Sequence, residues 1–196
     1  MQQLDIVNLA LSRLGQPSIS AMSEASTEAA QATAVWENAL YTTLHAFRWP
    51  FCSKRVELAL VEESPDNYPY AYKYALPSDI IQPYEIIGDF PEQHIPFLVE
   101  GTYLYTDRET AVLSYTYKEL RCSRFSPTFC DALSWRIAGD LSLSLAGAST
   151  YAQRAQQQYD ACLMQARAQA AQSSAPKRNR HSRYMRARGH HILRDL

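Results

Sequence analysis

The stretch of sequence that decides the fold runs from residue 40 to residue 60 and reads LYTTLHAFRWPFCSKRVELAL. Its first half has apolar residues at steps of three and four, as on one face of a helix: Leu40, Leu44 and Phe47. Its second half has them at every other position, as on one face of a strand: Val56, Leu58 and Leu60. Pro50 separates the two patterns because it disfavours the helical conformation for Trp49. We therefore expect a helix to end and a β region to begin at this proline.

Two helices are predicted upstream of Pro50. The first covers residues 4–14, where apolar residues recur at helical spacing, and it ends at Gly15. The second covers residues 26–48, and Glu28 near its start suits the positive end of the helix dipole.

The middle of the chain is predicted to form a small antiparallel sheet of short strands. Six prolines fall within residues 62–100, and they confine strands there to short or edge positions. Residues 97–105 read FLVEGTYLY, in which Gly101 accepts the positive φ that a tight hairpin turn requires. Residues 110–117 read TAVLSYTY, and this β-branched and aromatic composition predicts a further strand.

Two more helices are predicted after the sheet. Ser126 and Pro127 are typical of an N-cap and a first helical residue, and the apolar spacing that follows predicts a helix over residues 127–146. Gly147 interrupts this pattern. The fourth helix is predicted over residues 149–172, with a face of Gln and Arg opposite its apolar stripe.

These elements predict an α+β protein, because the strands are grouped between two helix pairs instead of alternating with helices. We expect an antiparallel helical bundle of about four helices, an inserted small antiparallel β domain and an extended C-terminal arm. The helical domain is discontinuous and comprises residues 1–50 and 126–172. The β domain comprises residues 51–125, and the arm comprises residues 173–196.

Charge is distributed unevenly along the chain. The whole sequence has 19 basic and 20 acidic residues, which gives a net charge of −1. Residues 176–196 hold seven of the basic residues and one of the acidic ones, so this segment carries +6. Residues 1–175 therefore carry −7. The sequence predicts an acidic body with a basic arm.

Residue patterns that carry catalysis are missing from the sequence. The six glycines do not group into a phosphate-binding loop, and the carboxylates do not form a pair at catalytic spacing. We therefore expect no enzymatic activity and no cofactor. The histidines of the arm lie among arginines, without cysteine or glutamate, so we also expect no metal site.

Three smaller expectations follow from the composition. The four cysteines are too widely spaced for a zinc motif, and we expect free, mostly buried thiols. His45 is expected to be a packed or interfacial imidazole. No apolar run approaches the roughly 20 residues of a membrane span, and the N-terminal stretch has no basic n-region, so we expect no membrane partner and no secretory signal.

The arm contains the only binding residues that the sequence singles out. Apolar side chains are interleaved with arginines there, and arginine favours bidentate contacts with carboxylate or phosphate. This pattern favours an arm that docks on a protein, whereas a tail that only aids solubility or binds nucleic acid needs no apolar anchors. The candidate docking residues are Arg178, Arg180, Arg183, Tyr184, Arg186, Arg188, Ile192 and Leu193.

Four blocks of the sequence, in this order, resemble the tail tubular protein A family, the head-to-tail adaptors of short-tailed bacteriophages. The resemblance covers about residues 4–170. The blocks are residues 9–19 (LALSRLGQPSI), residues 47–51 (FRWPF), residues 70–79 (YAYKYALPSD), and residues 113–117 (LSYTY) leading into residues 126–129 (SPTF).

This resemblance implies a structural virion protein without cofactor or catalysis. It implies a homo-oligomeric ring of twelve copies below the phage portal protein, with the tail nozzle bound underneath. It also allows tail fibres as further partners. Viral DNA would pass through the ring without specific binding. The protein would assemble in the host cytoplasm and reside in the neck of the virion. The arm does not align with the family, so its docking on the portal is a separate expectation.

Two alternatives to the adaptor stay open. The +6 arm is compatible with a nucleic-acid-binding protein, whose affinity would fall steeply with salt. A tail-associated wall hydrolase would fit a phage context, although the sequence offers it no acid and base pair.

Overall fold

The computed structural model of the protein describes residues 1–63, 65–66, 68–90, 93–147 and 149–174. Within these residues the chain forms four α-helices and two antiparallel sheets, so the fold is mixed α+β, as the sequence predicts. The helices are α1 (Gln3–Arg13), α2 (Thr27–His45), α3 (Pro127–Ala146) and α4 (Ser149–Ser174). The strands are β1 (Ser53–Glu57), β2 (Ala59–Glu63), β3 (Tyr72–Ala75), β4 (Ile80–Ile86), β5 (Leu98–Glu100), β6 (Tyr103–Thr106) and β7 (Val112–Tyr117).

Helix α2 ends at His45, earlier than the predicted residue 48. Its C-cap is Ala46, and Trp49 already has an extended backbone, with φ −75° and ψ 130°. This extended conformation is the one that the following proline requires. Residues Pro50–Cys52 then form a single 3₁₀ turn that leads into β1.

The predicted bounds of α3 are confirmed. The hydroxyl oxygen of Ser126 accepts a hydrogen bond from the backbone N–H of Phe129 at 3.2 Å and so caps the first turn. Gly147 ends the helix in the left-handed conformation, with φ 63°. An L side chain is strained at that φ, which explains why glycine stands at this C-terminus.

Helix α3 contacts each of the other three helices. Its pairing with α4 is antiparallel, since residues early in α3 meet residues late in α4. Thr128 donates a hydrogen bond to the Gln169 side chain at 2.8 Å, and a Cβ at Gly139 would lie 3.6 Å from Ala155. The short connection at Gly147 is consistent with this hairpin of helices.

The prediction that Val56, Leu58 and Leu60 lie on one strand is wrong, and so is the prediction of a single sheet. The chain divides at Leu58, which is buried and donates its backbone N–H to the carbonyl of Ala111 at 2.9 Å. Strand β1 belongs to a first sheet of order β1-β7-β4, and β2 belongs to a second sheet of order β2-β3-β6-β5. Apolar alternation continues from Val56 through Leu58 to Leu60, so the pattern alone does not reveal the change of sheet.

Predicted details within the β region are confirmed. Strands β5 and β6 form the hairpin, and Gly101 in its turn has φ 59°. Pro83 lies in β4, an edge strand of the first sheet, where the register with β7 shifts between Pro83 and Glu85. An edge position with a bulge tolerates a residue that has no N–H to donate.

Two hydrophobic cores result from this arrangement. One lies among the helices and includes Trp49 and Phe129, and the other lies between the sheets and includes Tyr74 and Leu113. Tyr117, at the end of β7, packs against both cores. The boundary between the helices and the first sheet is therefore a packed junction.

Candidate functional site

The docking residues predicted from the sequence lie outside the described residues. These are Arg178, Arg180, Arg183, Tyr184, Arg186, Arg188, Ile192 and Leu193. Within the described part of the chain, the candidate site is the junction between the helices and the first sheet, where the two hydrophobic cores meet at Tyr117. Several of the sequence blocks that carry the family resemblance meet there.

An aromatic cluster holds the helical side of the junction together. Trp49, which is fully buried, lies with its ring centroid 5.0 Å from that of Phe129. Phe51 also lies 5.0 Å from Phe129 and 5.4 Å from Phe125. The indole N–H of Trp49 donates to the carbonyl of Thr43 at 3.0 Å, so its polar atom is satisfied. The cluster ties the end of α2 to the beginning of α3, two places that are far apart in the sequence.

Asp79 ties the strands of the first sheet together at the same junction. Its carboxylate accepts hydrogen bonds from the Lys54 ammonium at 2.6 Å and from the Tyr115 hydroxyl at 2.9 Å. Its backbone carbonyl accepts from the N–H of Lys118 at 2.8 Å. Burial alone raises the pKa of Asp79, but the hydrogen bonds from Lys54 and Tyr115 outweigh it, and the pKa falls below its ordinary value. The carboxylate therefore stays ionised and links β1, β7 and the start of β4.

Glu119 is a buried carboxylate in the loop between β7 and α3. Its side chain is only 3% exposed, and it pairs with the guanidinium groups of Arg121 at 2.9 Å and Arg124 at 3.2 Å. The Tyr117 hydroxyl donates to it at 2.6 Å. Burial raises the pKa of Glu119, but the hydrogen bonds from Arg121 and Tyr117 dominate and lower that pKa to about 2. Glu119 therefore holds two exposed arginines in place at the surface.

Two ion pairs cross from the helices to the first sheet. Arg48, just after α2, pairs with Glu85 of β4 at 2.9 Å and also donates to the Ser114 hydroxyl of β7 at 2.6 Å. Lys118 pairs with Glu37 of α2 at 2.8 Å. The partly exposed pair of Arg48 and Glu85 contributes about 0.2–1 kcal/mol. The two ion pairs link the sheet to the helices, whereas the aromatic cluster packs within the helical core.

Two open grooves flank the junction. One, of about 620 Å³, follows the loop between β7 and α3 and is lined by Lys54, Leu120 and Arg121 among others. The other, of about 280 Å³, lies between Phe51 and Ser173, near the end of α4. Both are open surface features of the kind that suit contact with another protein.

The free thiols predicted from the sequence are confirmed. Cys52, Cys122 and Cys130 are buried, Cys162 is half-buried, and all four are free. Burial raises the pKa of Cys52 to about 12 and that of Cys130 to about 11. These thiols stay protonated at neutral pH and are poor nucleophiles.

His45 does not match its packed interpretation. It is exposed and is the last residue of α2, beside a groove that it shares with Ile80 and Ile81. The exposure of His45 does not contradict the other interpretation, that its imidazole lies at an interface.

The described ranges offer neither a metal site nor a membrane span. There, no group of three or more His, Cys, Asp and Glu side chains is arranged to hold a metal ion. No helix among these residues is long and apolar enough to cross a bilayer.

The acidity of the body is confined to the β region. Residues 53–117 contain eleven acidic and four basic residues, a net charge of −7. Residues 1–52 and 118–174 together contain eight of each and are neutral. The fold therefore places a neutral helical region beside an acidic β region, a division that the sum over residues 1–175 conceals.

Glu119 and its two arginines were not found by sequence reasoning. The signal was present, since Lys118, Arg121 and Arg124 surround one glutamate within seven residues. Such a run ordinarily indicates a solvated loop, and nothing local shows that the glutamate is buried and the arginines are held by it.

No protein-family model and no curated protein matches the chain. The likeness to head-to-tail adaptors is therefore carried by the sequence blocks alone. Three of those blocks contribute to the junction: residues 47–51 and 126–129 through the aromatic cluster, and residues 70–79 through Asp79.

Proposed function

We propose that the chain is a structural virion protein of a short-tailed bacteriophage, a head-to-tail adaptor between the portal and the tail nozzle. The observation that carries the proposal is the convergence of the resembling blocks on one junction. Residues 47–51 and 126–129 are almost 80 residues apart, yet their rings lie 5.0 Å from each other. Blocks that define a common fold are expected to meet in its core.

The architecture proposed for this role is an antiparallel helical bundle that carries an inserted β domain. The helical domain comprises residues 1–50 and 126–172, the β domain comprises residues 51–125, and the arm comprises residues 173–196. Twelve such copies form a closed ring, in which each copy presents one surface to its left neighbour and a different one to its right neighbour.

The charge of the β region supports a role as a DNA conduit. A surface of net charge −7 repels the phosphate backbone, which favours sliding over adhesion. The ring helps to retain the packaged genome by closing the neck, and this role needs neither a cofactor nor catalysis. The protein assembles in the host cytoplasm and resides in the neck of the particle.

The arm is proposed to bind the portal, with tail fibres left open as further partners of the adaptor. Its eight candidate residues, from Arg178 to Leu193, combine bidentate cations with apolar anchors. Helix α4 ends at Ser174, so the arm begins beside the groove near Phe51. When fully extended, the 21 residues 176–196 span up to about 70 Å, which suffices to reach a neighbouring protein.

Co-expression with the portal protein of the same phage tests this proposal. The full chain is expected to copurify with portal rings, and a chain that lacks residues 176–196 is expected to fold but to bind at least tenfold more weakly. Replacement of Tyr184, Ile192 and Leu193 by Asp should reproduce this loss, whereas Asp at the exposed Met164 of α4 should not. Equal retention of all variants would contradict the role of the arm, and absence of any portal complex would contradict the adaptor.

A nucleic-acid-binding protein is the second candidate, and the +6 charge of residues 176–196 favours it. Binding to duplex DNA through the arm would weaken about 10³-fold or more between 50 mM and 200 mM salt if six phosphates are contacted. Portal binding through apolar anchors should survive that change. The two candidates are therefore separated by one salt titration on each partner.

A further inference from the structure

Two complementary patches lie at opposite ends of strand β1, and the acidic one extends onto β2 of the second sheet. The basic loop consists of Leu120, Arg121 and Arg124, in the connection from β7 to α3. The acidic edge consists of Glu57 at the end of β1 together with residues 60–63 of β2. Ser53 pairs with Thr116 and Glu57 with Val112, so β1 separates the two patches by about 15 Å along its length.

The basic loop presents an exposed leucine between two fixed cations. Leu120 is 60% exposed. Arg121 and Arg124 flank it, and both are held by the buried carboxylate of Glu119. A cation that is already fixed in place loses less side-chain entropy when a partner binds. The loop is thus a small preorganised surface, apolar at its centre and positive at its rim.

The acidic edge has the opposite character. Strand β2 is an edge of the second sheet and is exposed along its whole length. Leu60 and Val61 are 46% and 48% exposed, and they are flanked by carboxylates. Within the described residues, Glu57 and Glu63 have no ion-pair partner, whereas Glu62 pairs with Lys73 at 3.0 Å. Two unpaired carboxylates beside exposed apolar residues suit an apolar partner that carries cations.

We infer that the basic loop of one copy binds the acidic edge of a second copy of this chain. Leu120 would then cover Leu60 and Val61, while the arginines would face Glu57 and Glu63. The two patches differ and lie apart, so one copy binds two different neighbours through them, which is the heterologous contact that closes a ring. This inference rests on the ring of the proposed function, whose subunit contact it specifies.

Self-association of the full chain is the measurement that tests the contact, by sedimentation from about 1 µM to about 1 mM protein in about 50 mM NaCl. The wild type is expected to associate, and less so as the salt is raised. Leu120→Asp removes the apolar contact and places a negative charge against the acidic edge, so association should weaken about 30-fold or more. The matched control is Met164→Asp, at a position that is 74% exposed on α4, and it should associate as the wild type does.

A charge exchange makes the test specific for this pair of patches. Glu57→Lys with Glu63→Lys should weaken association as Leu120→Asp does, because the lysines then face the arginines. Leu120→Asp combined with Val61→Lys should recover most of the affinity that Leu120→Asp loses, since the new aspartate then faces the new lysine. All replaced side chains are exposed, so circular dichroism of the variants should match that of the wild type.

Three results would overturn the inference. A wild type that stays monomeric at the highest concentration would remove the contact, although the proposed adaptor could still assemble on the portal. Loss through Glu57→Lys and Glu63→Lys without loss through Leu120→Asp would assign the acidic edge to another basic segment, residues 176–196. Loss of duplex DNA binding in Leu120→Asp, with self-association unchanged, would make the basic loop a nucleic-acid surface.

Discussion

The helical region, residues 1–52 and 118–174, and the β region, residues 53–117, differ in charge and in the contents of their cores. The helical region is neutral and contains all three tryptophans, whereas the β region carries −7 and contains nine of the 13 tyrosines. In the helical core the aromatic rings pack on one another around Trp49. In the β core the buried rings of Tyr74 and Tyr115 also anchor hydroxyl groups in hydrogen bonds.

This difference shows how the two regions are specified. The packing of Trp49 and Phe129 is apolar, so shape and volume decide it. A buried tyrosine must also satisfy its hydroxyl, so hydrogen-bond geometry restricts the β core further. Hydrogen bonds thus fix the arrangement of the β core, while the surface of the same region carries a high negative charge. The predictions below test the two kinds of core and the junction between them.

The largest effect is expected from Trp49→Ala. This change empties the centre of the aromatic cluster and leaves the Thr43 carbonyl without its donor, so unfolding free energy should fall by about 3–5 kcal/mol. Urea unfolding followed by circular dichroism measures it. Trp36→Ala, at a half-buried tryptophan of α2, is the control and should be milder. A loss at Trp49 below about 1 kcal/mol would show that the cluster does not hold the junction.

The next effect is expected from Glu119→Gln. The pKa of Glu119 is about 2 in the folded chain against an ordinary value of 4.5. The ionised carboxylate of Glu119 therefore stabilises the folded chain above pH 4.5, and this contribution is lost as the pH falls toward about 2. At neutral pH the variant should lose about 1–3 kcal/mol, the contribution of hydrogen bonds to a charged group. Its stability should also decline less steeply than that of the wild type below pH 4.5.

Glu62→Gln is the control for this pH dependence. Glu62 is exposed and pairs with Lys73 in the β region, so its replacement should leave the acid limb of the stability profile nearly unchanged. Identical profiles for the wild type and Glu119→Gln would contradict the role of Glu119 as the carboxylate that fixes the basic loop.

A smaller effect is expected from Tyr74→Phe in the β core. The Tyr74 hydroxyl lies 2.7 Å from the carbonyl of Arg108 and 2.6 Å from that of Glu109. Removing it leaves these carbonyls without that donor and should destabilise the chain by about 1–2 kcal/mol. Thermal unfolding measures the change. Tyr103→Phe, whose hydroxyl has no hydrogen-bond partner in the described residues, should be neutral, and equal effects would mean that the hydroxyl is not a determinant of the core.

The smallest effect is expected for the ion pair of Arg48 and Glu85 across the junction. A double-mutant cycle with alanine at both positions should give a coupling of about 0.2–1 kcal/mol that shrinks with added salt. Both side chains are partly exposed, which limits the pair to this range. A coupling above about 2 kcal/mol would mean that ion pairs, and not the aromatic cluster, dominate the junction.

Local signals explain which parts of the fold the sequence predicts. Helix α3 is predicted to the residue because Ser126, Pro127 and Gly147 mark both of its ends. The β5–β6 hairpin is predicted because Gly101 identifies its turn. The change of sheet at Leu58 is not predictable, since alternation continues through it and the partner strands are distant in sequence.

The candidate site follows the same logic. The aromatic residues of the junction are visible in the sequence as blocks, but their contacts join residues almost 80 positions apart. Whether Glu119 is buried depends on Tyr117 and on the two arginines that contact it. The spacing of apolar residues in the sequence does not reveal these contacts. The charge division between the two regions also appears only once the chain is cut at the bounds of the sheets.

Electron microscopy of the particles that contain this chain tests the proposed adaptor role most directly. The predicted result is a ring of twelve copies on the portal axis, with the tail nozzle below it and the segment after Ser174 reaching the portal. A particle in which this chain is absent from the neck, or lies off the portal axis, would contradict the proposed adaptor.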